Sequence, residues 1–304
     1  MLCTSISAAV QRFGCCVLRK VAEYLRCQTG SLWGRCRGGI NLIAGLAVLT
    51  ISITSARADP NARTLWREVW AGADVSTNVW LVYSGATVAP FSGIHENGFR
   101  LRAVTGYGQY TYTGAAPLNQ RYDASTAFGE VLGGYLYRYN SLTVKAFAGV
   151  TFIDHDITPF DDENISISAE WGAKGVLEFW YNVSPKIWTS LDIAYTTAHD
   201  TGSVRMRSAY RVWPQVSLGI EGGINIDGQA QCKMRMPSQD GCRLSEQDND
   251  VKSLLDFGRT GLFARYEWTG GEASLAAGGL GQMMEPNGKF NLDPYVTVNW
   301  ILQF

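Results

Sequence analysis

The chain has 304 residues and a formal net charge of −1, a balance that removes the bulk electrostatic argument for a nucleic-acid partner. Hydrophobic residues make up 46%, charged residues only 17%, and the mean hydropathy is −0.06. These values exclude a disordered chain and a many-helix membrane protein alike.

The first segment with a readable pattern is a targeting signal. Arg35 and Arg37 precede the apolar run "INLIAGLAVLTISITS" at 40–55, and Ala56-Arg57-Ala58 follows with Asp59 behind it. A small-x-small triplet after an apolar run predicts cleavage after Ala58, so residues 1–58 read as a signal peptide with an extended n-region. A retained anchor is the alternative, but the run is shorter than the ~20 residues a spanning helix needs. Five cysteines precede this cut, leaving Cys232 and Cys242 in the polar stretch "CKMRMPSQDGC". In an exported chain that pair predicts a local disulfide; a metal site there would lack a third ligand.

From residue 59 onward the period is two almost everywhere. Twelve strands are expected, near 67–75, 79–90, 98–113, 125–139, 142–154, 165–182, 186–198, 202–213, 215–227, 254–268, 272–284 and 291–304. Short connections such as "YNS", "VSP", "WPQ" and "TGG" alternate with mostly longer ones, including "TGAAPLNQRYDAS" and "DHDITPFDDEN". That asymmetry predicts a single all-β domain over 59–304, an antiparallel up-and-down outer-membrane β-barrel of about 12 strands. A secreted soluble β-protein is the competing reading, because alternation alone does not say which face is inside.

Each strand carries an apolar and a polar face. The final strand sets Val296, Val298, Trp300, Leu302 and Phe304 against Tyr295, Thr297, Asn299 and Gln303, with Ile301 as a misfit on the polar side. Barrels of the outer membrane commonly close on a terminal Phe, which this strand matches by analogy. Tyr137, Tyr139, Trp180, Tyr181, Trp213 and Trp268 near strand ends read as an interfacial aromatic belt.

With the polar faces inward, the lumen would hold ten cations: Arg100, Arg102, Arg138, Lys145, Lys174, Arg205, Arg207, Arg211, Arg259 and Arg265. Six carboxylates would face them, Glu130, Glu170, Glu178, Asp192, Glu221 and Glu267, an excess of four positive charges. These charges either pair across strands and fill the barrel or line a basic conduit. Paired filling is preferred, since long Arg side chains leave little room inside twelve strands.

Catalysis has little support. His95 falls in a turn, and His155 and His199 fall in loops on the other side; neither of the latter shares a spacing motif with Ser203 that would mark a lipid-active barrel enzyme. The carboxylates of "DHDITPFDDEN" lack the ordered spacing of a calcium loop. No catalytic residue, cofactor or metal is assigned, and the chain is expected to be non-catalytic.

Residues 72–112, "GADVSTNVWLVYSGATVAPFSGIHENGFRLRAVTGYGQYTY", resemble the BcsS family of bacterial cellulose biosynthesis proteins. The likeness rests on Y-x-G-A-x-x-A-P, then G-F-R-L-R, then G-Y-G-x-Y-x-Y, and extends through "GYLYRYNSLTVKAFAGV" and "SAYRVWPQVSLGIEGG". It implies an accessory of cellulose synthesis or export in the outer membrane of a Gram-negative bacterium. The implied partners are membrane lipid, β-glucan and components of the synthase complex. If the barrel touches glucan, rings could stack on sugar faces; Tyr110, Tyr112, Phe147, Trp188, Phe263 and Tyr295 are the candidates, each of which could equally be packing. A general pore for small solutes and a lipid-active enzyme are the alternative functions.

Overall fold

The computed structural model describes residues 65–113, 120–159, 168–227, 257–281 and 293–304. In chain order the strands are β1 Arg67–Ser76, β2 Val79–Val88, β3 Gly98–Thr113, β4 Arg121–Tyr139, β5 Leu142–Thr158 and β6 Ser168–Asn182. They continue as β7 Ile187–Thr196, β8 Thr201–Trp213, β9 Val216–Asp227, β10 Phe257–Trp268, β11 Gly271–Gly281 and β12 Asp293–Gln303. Every strand pairs antiparallel with its chain neighbours, and β12 pairs with β1, so the sheet is a closed twelve-stranded barrel.

Closure explains the ordered aromatic terminus. The seam runs from Glu68↔Gln303 to Ser76↔Tyr295. Beyond it, the Trp66 and Arg67 amides both donate to the Phe304 carbonyl, at 3.2 and 3.0 Å, and the Phe304 amide donates to the Arg67 carbonyl at 3.0 Å. A closed ladder leaves no unpaired edge for another chain to extend.

The short turns 140–141, 183–186, 214–215 and 269–270 share one end of the barrel, the turn end, with residues 65 and 304. Two of them use residues that tolerate positive φ, Asn140 at 51° and Gly270 at 86°. The ladder continues further than the apolar pattern suggests between β4 and β5, where Asp123↔Thr158 is still in register. Here polar side chains alternate as faithfully as apolar ones. Once paired, the backbone extends the sheet past the last greasy residue.

The pleat sorts side chains in the sense opposite to a soluble protein. Facing outward, Trp171, Leu262, Val131 and Ile220 are 70, 69, 64 and 62% exposed, whereas inward-facing Arg100, Glu221 and Arg102 are 1, 3 and 8% exposed. Water would oppose both arrangements at once, so the outer surface is built for hydrocarbon. On that surface Tyr135, Tyr137, Tyr139, Tyr181, Tyr210, Trp213, Tyr266 and Trp268 crowd toward the turn end, and Trp80, Tyr107, Phe152, Trp171 and Tyr195 toward the opposite, loop end. Along β6, Trp171 and Tyr181 are ten residues apart. At ~3.3 Å per residue and a tilt of ~40° that spacing spans ~25 Å, the height of a barrel's apolar band.

The wall is taller on one side. Strands β3 to β6 have 16, 19, 17 and 15 residues, while β1, β2 and β7 have 10 each. The extra length lies at the loop end.

Candidate functional site

The barrel interior gathers the polar residues of all twelve strands. Its turn-end half is filled. The segment 89–97 folds against the rim: the Ile94 amide donates to the Leu65 carbonyl at 2.6 Å and the Ala89 amide to the Trp66 carbonyl at 2.9 Å. The Arg100 guanidinium holds this segment through the Phe99, Gly93 and Glu96 carbonyls at 2.8, 2.9 and 2.5 Å, and the Ser92 hydroxyl at 3.0 Å. Gly98, at φ 156°, supplies the close approach: a Cβ there would lie 2.5 Å from Ser92 Oγ.

Above that rim, side chains meet across the bore, skipping intervening strands. Arg102 on β3 donates to Glu178 on β6, and Lys145 on β5 reaches the same carboxylate at 3.3 Å. Tyr295 on β12 donates to Glu221 on β9 at 2.8 Å, where Arg205 also donates at 2.5 Å. Arg259 on β10 lies 3.6 Å from Asp74 on β1, which accepts from the Thr297 hydroxyl as well. Trp180 and Trp188 stack at 4.1 Å between centroids, Phe263 packs on Trp188 at 5.6 Å, and the Arg265 guanidinium lies 4.5 Å from the Trp180 ring. Lys174 pairs with Glu130, and Arg265 with Glu267 at 2.8 Å and with Glu272. Buried ion pairs with several hydrogen bonds each suit a packed interior.

Two sequence expectations need correction. Trp180 belongs to the interior and not to the aromatic belt, because it shares the inward face of β6 with Glu178 and Asn182. The expected excess of four cations is also absent: Glu68, Asp74 and Glu272 are inward too, and the pleat turns Asp293 inward at the loop rim. With these four added, the ten cations no longer outnumber the inward carboxylates among the described residues, and the interior is not basic.

The remaining predicted residues are placed as follows. Trp188, Phe263, Phe147 and Tyr295 are 0 to 5% exposed inside the barrel, Tyr295 toward the loop end of β12, so none presents a ring face to a passing chain. Arg207 lies 3.8 Å from Asp192, Arg211 donates to the Asn182 side chain and the Pro185 carbonyl at 3.1 Å, and Arg138 sits at the turn rim bonded to Asn97 and Thr143. Ser203 pairs in register with Ala194 and Asn225. Ala56, Ala58, Asp59, Cys232, Cys242 and the Tyr112 side chain lie outside the described residues.

The loop-end half holds an arrangement that sequence spacing did not reveal. His155 stands on β5, inward, and not in a loop. The turn 197–200 after β7 bends into the lumen, leaving Ala198 and His199 almost wholly buried. It is tied to β6 by reciprocal 2.9 Å bonds, Thr197 N–H to the Ala173 carbonyl and Ala173 N–H to Thr197 Oγ1. Gly172 makes room beneath it, since a Cβ there would meet the Ala198 nitrogen at 2.3 Å. His199 and Asp200 both adopt positive φ, 52° and 50°, a conformation costing roughly 1–3 kcal/mol per residue. Glu170 on β6 accepts the His199 amide at 2.9 Å and lies 3.2 Å from His199 Nδ1. The His155 and His199 rings are 5.0 Å apart edge to face, and Tyr110 Oη lies 3.5 Å from His155 Nδ1. No cluster of three or more His, Cys, Asp or Glu among the described residues has metal-holding geometry.

No curated protein matches the chain. Among solved structures, a COG4313 outer membrane channel from Pseudomonas putida F1 aligns at TM-score 0.47 with 10% identity, over 82% of this chain and all of that one. A KdgM porin aligns at 0.43 with 10% identity over 78% and 99%. The translocator domain of the autotransporter NalP from Neisseria meningitidis aligns at 0.42 with 12% identity over 87% and 97%. The family model described as cellulose biosynthesis protein BcsS matches residues 69–236, a span from β1 to beyond the end of β9 and more than half of the chain. The chain belongs to the BcsS family of cellulose biosynthesis proteins.

Proposed function

We propose that this barrel is a non-catalytic outer-membrane accessory of cellulose biosynthesis in a Gram-negative cell, serving as a fixed anchor for the machinery or its product and not as an open conduit. The observation that carries the reading is the braced interior: the inward-facing Thr151, Trp188, Ser217 and Thr297 are 0% exposed. A glucan strand or a stream of solutes needs a continuous water path, and Arg102–Glu178, Arg259–Asp74 and the Trp180–Trp188–Phe263 stack reach into the space such a path would use. A solute pore is therefore the poorer reading. A lipid-active enzyme is poorer too, because His155 and His199 face the interior while acyl chains meet the outer wall. Membrane lipid is the constant partner; β-glucan and synthase components are the specific ones proposed, and nucleic acid is not.

Two measurements test this. Deleting the gene and staining for cellulose tests the pathway: reduced staining, restored by the wild-type gene, is expected, and unchanged output would remove the reading. Planar-bilayer recording of purified protein tests the anchor: the braces predict no steady conductance, and a stable ohmic channel of porin size would contradict it.

A further inference from the structure

The loop-end corner has the parts of a carbohydrate subsite. Tyr110 and Val79 are cross-strand partners on the inner face of β3 and β2, and Val79 is 38% exposed even though it points inward. Val79 is the first residue of β2, so this pair lines the loop-end mouth. His155 and His199 stand between this pair and Glu170, whose side chain is 43% exposed while that of His199, 3.2 Å away, is 4% exposed. One carboxylate oxygen, Oε2, accepts the His199 amide and lies 3.2 Å from the ring Nδ1. The carboxylate is thus fixed in direction and open to a ligand, and the backbone that fixes it is strained at two consecutive residues. Such strain persists only where the surroundings enforce it, and it concentrates at functional positions.

We propose that Tyr110, Val79, His155 and Glu170 bind an uncharged hexopyranose unit of a β-linked glucan at the loop-end mouth, with His199 as the positioning residue for Glu170. This rests on the cellulose-pathway reading above and deepens it. A pyranose presents an apolar C–H face, which suits the Tyr110–Val79 platform, and equatorial hydroxyls, which can donate to the fixed carboxylate and to an imidazole nitrogen. The exposed Glu170 carboxylate repels an anionic sugar, so the ligand is a neutral one. A barrel filled below and sugar-binding above would hold glucan at the cell surface without passing it.

The test is calorimetric titration of the full mature barrel in detergent micelles with cellohexaose, with maltohexaose and ZnCl2 as separate titrants. Cellohexaose is expected to bind and maltohexaose to bind at least tenfold more weakly. Tyr110→Ala and Glu170→Ala should each lower cellohexaose affinity at least tenfold, while Glu267→Gln in the filled half leaves it unchanged. His199→Asn should weaken binding less than Glu170→Ala, because it loosens the carboxylate without removing it. Heat-modifiable migration in gels verifies that each variant is folded. No heat with cellohexaose, equal affinity across the variants, or a response to ZnCl2 alone would overturn the assignment. Loss of cellulose on gene deletion together with absent cellohexaose binding would remove this site and leave the pathway reading in place.

Discussion

Replacing Glu178 with Gln should destabilise the barrel far more than an exposed surface change would. Glu178 is the shared acceptor of two cations, Arg102 and Lys145, whose side chains are 9 and 30% exposed, while its own is 23% exposed. Removing one partner of a buried pair typically costs ~3–5 kcal/mol, because the remaining charge stays desolvated. Lys145 can turn partly toward water, which lowers the expectation to about 3 kcal/mol, a roughly 150-fold change in the folding constant. With a urea m-value of ~2 kcal/mol/M, the unfolding midpoint in liposomes falls by about 1.5 M. The triple substitution Arg102→Met, Lys145→Met, Glu178→Leu should recover most of that loss, since apolar groups of similar volume often replace a buried ion cluster at little cost. A Glu178→Gln midpoint within ~0.3 M of wild type would mean that water screens these charges, and the filled-lumen argument would be wrong.

Other consequences are equally specific. Trp188→Ala removes a fully buried ring stacked on Trp180 and should cost ~3–5 kcal/mol in the same unfolding assay; a cost under 1 kcal/mol would show that the stack is not packed. Leu262→Arg puts a charge on the outer band and should cost ~2–4 kcal/mol when the barrel folds into liposomes, whereas no penalty would mean the residue does not contact acyl chains. Gly278→Ala should block assembly, because its Cβ would sit 2.1 Å from the Thr260 carbonyl oxygen, while Gly133→Ala, with open space around it, should fold as wild type; heat-modifiable migration distinguishes the two.

Strand number, order of turns and the inward or outward sense of nearly every strand residue were legible because period two is a local property. Even the misfit Ile301 keeps its place on the inner face, opposite Trp70 and Glu272. Trp180 was misread by taking its position near a strand end as the signal, when its parity with Glu178 already placed it inside. Asp74 and Glu68 were missed as lumen carboxylates because β1 is short and rich in Ala and Gly, so its polar face is faint. What no local pattern could supply is partner identity. Arg102 and Glu178 are 76 residues apart, and Asp74 and Arg259 meet only because closure curves β1 toward β10. The loop-end corner was invisible for a similar reason: nothing in "TTAHDTG" announces two consecutive non-glycine residues at positive φ, or a turn that folds inward onto Gly172.

The central claim is that the greasy face of the sheet meets lipid and the charged face is enclosed, and β12 offers its most direct test. Nitroxide labels placed singly at residues 296 to 300 of the protein in liposomes report collisions with oxygen, which concentrates in hydrocarbon, and with a polar nickel chelate, which does not. Oxygen contact should peak at Val296, Val298 and Trp300 and fall at Thr297 and Asn299, giving a clean period of two. A reversed phase, or equal access of the nickel chelate to all five positions, would contradict the account.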